Sequence, residues 1–153
     1  MVEHRAHLEY VVTDADTAIA VGSGSLPVLG TPRLIAWMEA ATVVVADVVA
    51  GEGAPVGGTE RPSAGVGVST SEGTSAAAQT SVGTRVDVEH LAASPVGAHV
   101  EVTADLTHRD GRLMRFAVVA HHDVGDGPVL IGRGEITRVV VQVDRFLARL
   151  PRP

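Results

Sequence analysis

The sequence predicts an α+β fold, in which an antiparallel β-sheet wraps around one long central helix. A long apolar stretch with helix start and stop signals lies early in the chain, and several segments of alternating β-type pattern follow it. One early helix followed by a run of strands is typical of a sheet packed on a helix, not of alternating β-α units. The length of 153 residues suits a single domain, which we assign to residues 1–153.

The helix is predicted over residues 32–50. Thr31 suits the N-cap, Pro32 the first helical position and Gly51 the exit. Apolar side chains occupy nearly every face between these signals, so the helix is expected to be buried. Its many valines are mediocre helix formers, and packing must therefore hold it in place.

Most of the remaining chain has the alternating pattern of strands. The predicted strands are residues 8–12, 17–21, 85–90, 98–108, 112–122 and 129–143. Asp110-Gly111 forms a hairpin turn between two of the long strands, and residues 124–128 separate the last two. Residues 144–150 are expected to form a short terminal helix.

Residues 51–81 differ from the rest of the chain. They are rich in Gly, Ala, Ser and Thr and contain no aromatic residue, Leu or Ile. Such a composition predicts a flexible surface insertion, with a mobile lid beside the substrate entrance as the alternative.

Composition excludes several functional classes. A formal charge of −6 argues against a general nucleic-acid binder, and the absence of cysteine removes disulfides, thiolate metal sites and a Cys nucleophile. Charged residues within the first 20 positions argue against a signal peptide, and the apolar runs are shorter than the roughly 20 residues of a membrane span. With no metal or phosphate-loop motif, we expect a cytoplasmic protein without a metal or other cofactor.

Four side chains are candidates for chemistry. Glu39 interrupts the predicted buried helix, where a carboxylate either acts in a site or pairs with a cation such as Arg138. His90 lies on the inward face at the end of its strand, as a core histidine or as a general base. Thr31 is a helix cap, or a nucleophile or proton relay if a base lies beside it. Arg138 interrupts an apolar strand, and it either pairs with Glu39 or holds an acyl carboxylate or phosphate.

Three runs of the sequence resemble the fluoroacetyl-CoA thioesterase family of hot-dog proteins. In residues 31–40 a threonine precedes a glutamate by eight positions. In residues 83–97 a glycine precedes a histidine by seven positions, and a Pro-x-Gly turn follows. In residues 132–140 a Gly-x-Gly strand leads to an arginine.

The resemblance implies a hot-dog fold and hydrolysis of an acyl-CoA thioester to an acid and free CoA. It implies that Thr31, Glu39 and His90 are catalytic, and that Gly83 and Arg138 bind substrate, without a cofactor. The identity of the nucleophile stays open. The alternatives are a non-catalytic acyl-CoA-binding or sensing module and, less favoured, a hot-dog hydratase.

Helix geometry adds an expectation about assembly. Eight residues at 1.5 Å each separate Thr31 from Glu39 by roughly 12 Å, so the two cannot bond directly within one chain. We therefore predict a homodimer with active sites at the subunit interface, where Thr31 of one protomer approaches Glu39 or His90 of the other.

Two further features bear on the substrate. Residues 23–30 contain no phenylalanine. In the fluoroacetate-selective member of the family the corresponding region resembles an aromatic lid, so we expect an acyl group other than fluoroacetyl for this chain. Arg109, Arg112 and Arg115 are candidates for contacting CoA phosphates, with solvated surface arginines as the alternative.

Overall fold

A computed structural model describes residues 4–52 and 78–153, which form an antiparallel sheet packed on a long helix. Its five strands have the order β1-β3-β4-β5-β2, so β1 and β2 are the edges. The elements are β1 (Arg5–Val11), a 3₁₀ turn (Asp14–Asp16), α1 (Ala18–Val21), α2 (Thr31–Glu52), β2 (Gln79–His90), β3 (His99–Asp110), β4 (Leu113–Asp123), β5 (Pro128–Gln142) and α3 (Val143–Ala148).

Helix α2 is buried against the sheet, as its sequence predicts. The buried stripe comprises Leu34, Trp37, Met38, Ala41, Thr42, Val45, Ala46 and Val49. Trp37 also stacks on Tyr10 of β1, with ring centroids 4.4 Å apart and planes 6° from parallel. These contacts supply the stabilisation that the valine-rich sequence lacks by itself.

The N-terminus of α2 differs from the prediction. The carbonyl of Gly30 accepts the first helical bond from Leu34 N at 3.1 Å, so Gly30 takes the cap position and Thr31 the first helical position. The expected N-cap role of Thr31 is therefore wrong, and its hydroxyl is available for another partner.

Helix α2 has the length and apolarity of a membrane span, with 22 residues and a mean hydropathy of 1.7. Glu39 and Asp47 keep each uninterrupted apolar run of this helix short, but they lower its mean hydropathy only slightly. Run length alone therefore does not reveal that α2 is apolar enough to span a membrane. Since its apolar stripe packs into the sheet, α2 serves as the core helix of this domain.

The predicted short strand at residues 17–21 is wrong, because this segment forms the single-turn helix α1. The Thr17 hydroxyl accepts a hydrogen bond from Ala20 N at 3.2 Å and caps this turn. Gly22, with φ of 78°, ends it in the left-handed region. A threonine cap and a glycine exit thus outweigh the β propensity of the residues between them.

The three long strands and the terminal helix are confirmed with small shifts at their ends. Asp110 pairs with Leu113 across the β3–β4 turn, and Gly111 has φ of 57°, as a tight hairpin requires. The predicted insertion is shorter than expected, because residues 51–52 belong to α2 and 79–81 to β2. Residues 53–77 lie outside the described residues, so the flexible-insertion and lid assignments stay predictions.

A β-bulge in β2 changes which residues face the helix. Gly83 pairs with Arg138, whereas Arg85 pairs with Thr137, so Thr84 is the extra residue. Paired residues of an antiparallel sheet share a face, and Arg138 and Ile136 both point inward and are buried. The bulge therefore places Gly83 on the same inner face as Val86, Val88 and His90, which simple alternation would not allow.

The Gly-x-Gly run of β5 allows α2 to approach the sheet closely. A Cβ atom on Gly132 would lie 3.0 Å from Leu34 and 3.1 Å from Met38. Gly132 also pairs with His90 on β2. The glycine therefore brings the N-terminal half of α2 down onto the part of the sheet that carries His90.

Candidate active site

Thr31 and His90 form a direct hydroxyl–imidazole pair. Thr31 Oγ1 lies 2.7 Å from His90 Nδ1, which joins the first turn of α2 to the last residue of β2. The sequence predicts that Thr31 of one protomer approaches Glu39 or His90 of the other. For His90 this prediction is wrong, because the close approach of α2 to β5 at Gly132 brings Thr31 and His90 together within one chain. The approach of Thr31 to Glu39 of another protomer stays a prediction. We call this pair the Thr–His half-site.

The environment of His90 favours a neutral imidazole. Burial lowers the pKa of His90 below its usual 6.5, and the Ala92 backbone offsets part of this effect. Among the described residues, Nε2 is buried without a hydrogen bond of ordinary geometry. His90 is therefore ready to accept a proton near pH 7, and its Nδ1 is the nitrogen already engaged with a hydroxyl.

Glu39 and Arg138 form a second polar pair, which is one of the alternatives that the sequence leaves open for these two residues. Arg138 Nη1 donates to Glu39 Oε2 at 3.2 Å. Arg138 also donates from Nε to Ser81 Oγ at 2.8 Å and from Nη2 to the Ser81 carbonyl at 2.9 Å. Three acceptors thus hold a guanidinium that is only 7% exposed, while the Glu39 side chain is 37% exposed and open to a ligand. We call these three residues the Glu–Arg half-site.

Sequence reasoning missed Ser81. Its position within the composition-biased segment assigned to the insertion concealed that it belongs to β2, and no local motif marks it. Only the pairing of Ser81 with Val140 on β5 brings its hydroxyl and carbonyl to the Arg138 side chain.

Gly83 lies directly beneath the Glu39 carboxylate. A Cβ atom at this position would lie 2.8 Å from Glu39 Oε2 and 3.6 Å from Arg138 Nη1. The glycine therefore leaves the space in which the carboxylate sits against the β2 backbone, and a side chain here would displace it.

The two half-sites occupy different parts of one chain. Along α2, Thr31 and Glu39 are about 12 Å apart, as the helical rise requires. Along β2, the seven-residue step from Gly83 to His90 corresponds to roughly 23 Å of extended strand. One chain thus carries an imidazole with a hydroxyl at one place, and a carboxylate with a guanidinium at another.

A cleft of about 390 Å³ adjoins the Thr–His half-site. Its lining comprises Ala18 and residues 23–26, 28–29, 31 and 90–93. Leu29 is fully buried at its base, whereas Leu26 and Leu91 are largely exposed at its margin. The cleft therefore has aliphatic side chains along its walls and the Thr31 hydroxyl in its lining.

A second hydroxyl–imidazole pair, which sequence reasoning missed, supports this region. Ser94 Oγ lies 2.6 Å from His122 Nδ1, and both residues are buried. Ser94 also accepts a hydrogen bond at its carbonyl from Leu29 N at 2.9 Å. The pair fixes the loop after β2 to β4 and to the segment that leads into α2. His121 lies on the opposite face of β4 from His122.

The arginines considered for CoA phosphates make surface contacts. Arg109 Nη1 lies 3.5 Å from the Val49 carbonyl near the end of α2. Arg115 Nε lies 4.0 Å from Glu135, and both of these side chains are about half exposed. These contacts do not test phosphate binding, so a role of Arg109, Arg112 and Arg115 in contacting the CoA phosphates stays a prediction.

The chain is similar in sequence to known thioesterases. Residues 65–144 match the fluoroacetyl-CoA-specific thioesterase family, FlK. A fluoroacetyl-CoA thioesterase of Streptantibioticus cattleyicolor is 40% identical over 70 residues, which are 46% of this chain and 48% of that protein. The match therefore spans about half the length of that relative.

Solved structures match over nearly the whole chain. The structure of the fluoroacetyl-CoA thioesterase FlK has a TM-score of 0.71 and 25% identity, covering 99% of this chain and 98% of that one. A FlK variant in complex with fluoroacetate and CoA has a TM-score of 0.69 and 26% identity, covering 95% and 98%. A thioesterase superfamily member of Thermus thermophilus has a TM-score of 0.69 at 23% identity, covering 97% and 88%, and supports the fold alone. The predicted hot-dog fold is thereby confirmed.

Proposed function

Because the chain belongs to the fluoroacetyl-CoA-specific thioesterase family, we propose that it hydrolyses an acyl-CoA thioester to a carboxylic acid and free CoA. The observation that carries this proposal is the 2.7 Å contact between Thr31 Oγ1 and His90 Nδ1 at the end of an aliphatic cleft. A hydroxyl held on a neutral imidazole is suited to move a proton to and from a reacting group.

The proton path follows from which atoms are accessible. Thr31 is exposed, and His90 Nδ1 is hydrogen-bonded to it, whereas His90 Nε2 is buried. The Thr31 hydroxyl therefore takes a proton from the attacking water as it passes its own proton to His90 Nδ1. When the C–S bond breaks, the proton returns by the same path to the CoA sulfur, so that water and thioester become acid and thiol.

The Glu–Arg half-site supplies the complementary groups. The Glu39 carboxylate accepts a hydrogen bond from the attacking water, and Arg138 keeps that carboxylate oriented. Attack on the carbonyl carbon places negative charge on the carbonyl oxygen, which a backbone N–H near Gly83 stabilises. Because Gly83 has no side chain, the Glu39 carboxylate lies directly against this part of the β2 backbone.

A homodimer would unite the two half-sites. Strand β2 is an edge of the sheet, and an edge strand presents N–H and C=O groups that pair with another strand. We propose that two β2 strands pair antiparallel about a twofold axis at Asp87. Val86 then opposes the partner's Val88 on the inner face, and on the outer face Arg85 and Glu89 pair with their counterparts on both sides of the two opposed Asp87 carboxylates.

This register also determines which functional groups meet. The Gly83-Thr84 bulge of one protomer lies opposite the partner's His90, because a bulge places two residues against one. Glu39, which contacts the Gly83 position, then faces the Thr–His half-site of the partner. Each active site thus consists of Thr31 and His90 from one protomer and Glu39, Gly83 and Arg138 from the other.

The first experiment measures release of free thiol from a panel of acetyl-, butyryl-, hexanoyl-, phenylacetyl-, malonyl- and fluoroacetyl-CoA. Glu39→Gln and His90→Ala should each lower turnover by at least about 100-fold, the usual scale for an acid–base group. Glu135→Gln and His121→Ala are the matched controls on the outer face of the sheet and should retain activity. Binding of acyl-CoA without thiol release across the panel would instead indicate a sensing module.

Subunit exchange tests the shared site. A mixture of Glu39→Gln and His90→Ala chains that have exchanged subunits contains heterodimers with one intact site, so about a quarter of the wild-type activity should return. A site built within one chain predicts no recovery, because neither chain of the heterodimer then carries a complete set. A chain that remains monomeric at assay concentration would equally contradict the shared site.

A further inference from the structure

The cleft beside Thr31 has walls that carry aliphatic side chains. The walls come from the segment before α2 and from the loop after β2, and they present Leu26, Val28, Leu29 and Leu91. Ala18, Ala92 and Ala93 widen the space between these walls. Among the described residues of the lining, the polar side chains are the hydroxyls of Ser23 and Ser25 and the Thr31–His90 pair, and backbone groups add further polar surface.

The cleft is much larger than an acetyl group requires. Its volume of about 390 Å³ lies within the range of roughly 300–1,000 Å³ that small-molecule sites occupy. A two-carbon acyl group displaces the volume of only a few waters at about 30 Å³ each. A longer chain would fill the cleft and remove the aliphatic walls from water.

Charge argues against the nucleotide end of CoA as the occupant of the cleft. Among the described residues that line the cleft, none is an arginine, a lysine or a carboxylate. The phosphates of CoA require cationic partners, so this cleft is unsuited to the nucleotide end of the substrate.

From these observations we infer that the cleft binds the acyl chain and selects aliphatic acyl groups longer than acetyl. The inference rests on the proposed thioesterase function, which it makes more specific. With the thioester carbonyl at the Thr31 hydroxyl, the chain extends between Leu29 and Ala92 toward the margin at Leu26 and Leu91. Residues Leu26 and Ala93 then determine the width and length of the acyl chain that fits.

The test is a chain-length series with matched variants. For the wild type, kcat/KM should rise about fourfold for each methylene added to acetyl-CoA until the cleft is full, since each buried methylene contributes about that factor. Ala93→Leu fills the cleft and should lower hexanoyl-CoA turnover at least tenfold relative to acetyl-CoA, whereas Ala20→Leu, which lies outside the lining, should not.

Binding of non-hydrolysable S-alkyl-CoA thioethers, measured by calorimetry on the same variants, separates the two proposals. A chain-length trend that Ala93→Leu shortens supports the acyl cleft, even if no thioester in the panel is hydrolysed and the proposed function fails. A flat profile in both hydrolysis and binding overturns the cleft assignment while leaving a thioesterase intact. An equal loss for acetyl and hexanoyl groups in Ala93→Leu also overturns it.

Discussion

Thr31 Oγ1 lies 2.7 Å from His90 Nδ1, so the first turn of α2 is joined to the last residue of β2. The pair links residues 59 positions apart, which only the packing of the helix on the sheet allows. Because Gly30 caps α2, the Thr31 hydroxyl is available to pair with His90.

Thr31→Val tests whether catalysis needs the Thr31 hydroxyl or only the shape of its side chain. Valine is nearly isosteric but cannot relay a proton, so we expect kcat/KM to fall about 100-fold, as for loss of an acid–base group. Thr31→Ser keeps the hydroxyl and should retain most activity. Equal activity of the valine and serine variants, with thiol release measured under the same conditions, would remove Thr31 from the mechanism.

The pH dependence of kcat/KM should report His90. Burial lowers its folded-state pKa below 6.5, so the imidazole stays neutral at pH 7 and becomes protonated only as the pH falls through that lower value. Activity should therefore be constant around neutrality and decline with a slope of one proton on the acid side. An NMR titration, with the His90 signal identified from its absence in His90→Ala, should give a pKa below 6.5. A titration above that value would contradict this assignment.

Gly83→Ala should impair catalysis more than folding. The added methyl group would lie 2.8 Å from Glu39 Oε2, and the carboxylate can move aside because its side chain is flexible. We expect at least a tenfold loss of kcat/KM, with the melting temperature changed by only a few degrees. Gly51→Ala is the matched control, since nothing lies within 4 Å of a Cβ there, and it should be active.

Ser94→Ala should lower stability, because it leaves the buried His122 Nδ1 without its partner. An unsatisfied buried polar group costs roughly 1–3 kcal/mol in the free energy of unfolding. Urea denaturation of this variant beside Ser25→Ala, an exposed serine, measures the difference. If both variants unfold at the same urea concentration, the Ser94–His122 contact contributes nothing to stability.

Asp87→Cys should form a disulfide between protomers, since the proposed twofold axis places the two residues directly opposite each other. Opposed residues of antiparallel strands have Cα atoms about 4.5–5.5 Å apart, within the range of roughly 4.4–6.8 Å for disulfides. The chain has no native cysteine, so a covalent dimer on non-reducing gel electrophoresis reports this contact alone. Glu9→Cys on the opposite edge strand should stay monomeric on the gel. The reverse pattern would locate the interface at β1.

Much of the fold could be predicted from local signals. Strands β3, β4 and β5 follow from their alternation and from Asp110-Gly111, and α2 follows from its predominantly apolar stretch between Pro32 and Gly51. The segment at residues 17–21 could not, because a four-residue turn depends on one cap hydrogen bond from Thr17 and not on a periodic pattern.

The candidate residues were also visible in the sequence, as a glutamate in an apolar helix, a histidine at a strand end and an arginine in an apolar strand. Ser81, Ser94 and His122 were not, because a single serine or histidine has no periodicity that distinguishes a buried hydrogen-bond partner from a surface residue.

The sequence by itself determined which elements form and which polar side chains lie among apolar ones, since both depend on residues near one another in the chain. Only the tertiary structure decided which of those side chains meet. The bulge at Thr84 rotates Gly83 onto the inner face, and the bare backbone of Gly132 lets α2 approach β5. These two features pair Thr31 with His90 and Glu39 with Arg138 in separate places, because strand register and interlayer distance arise from long-range packing that no local pattern encodes.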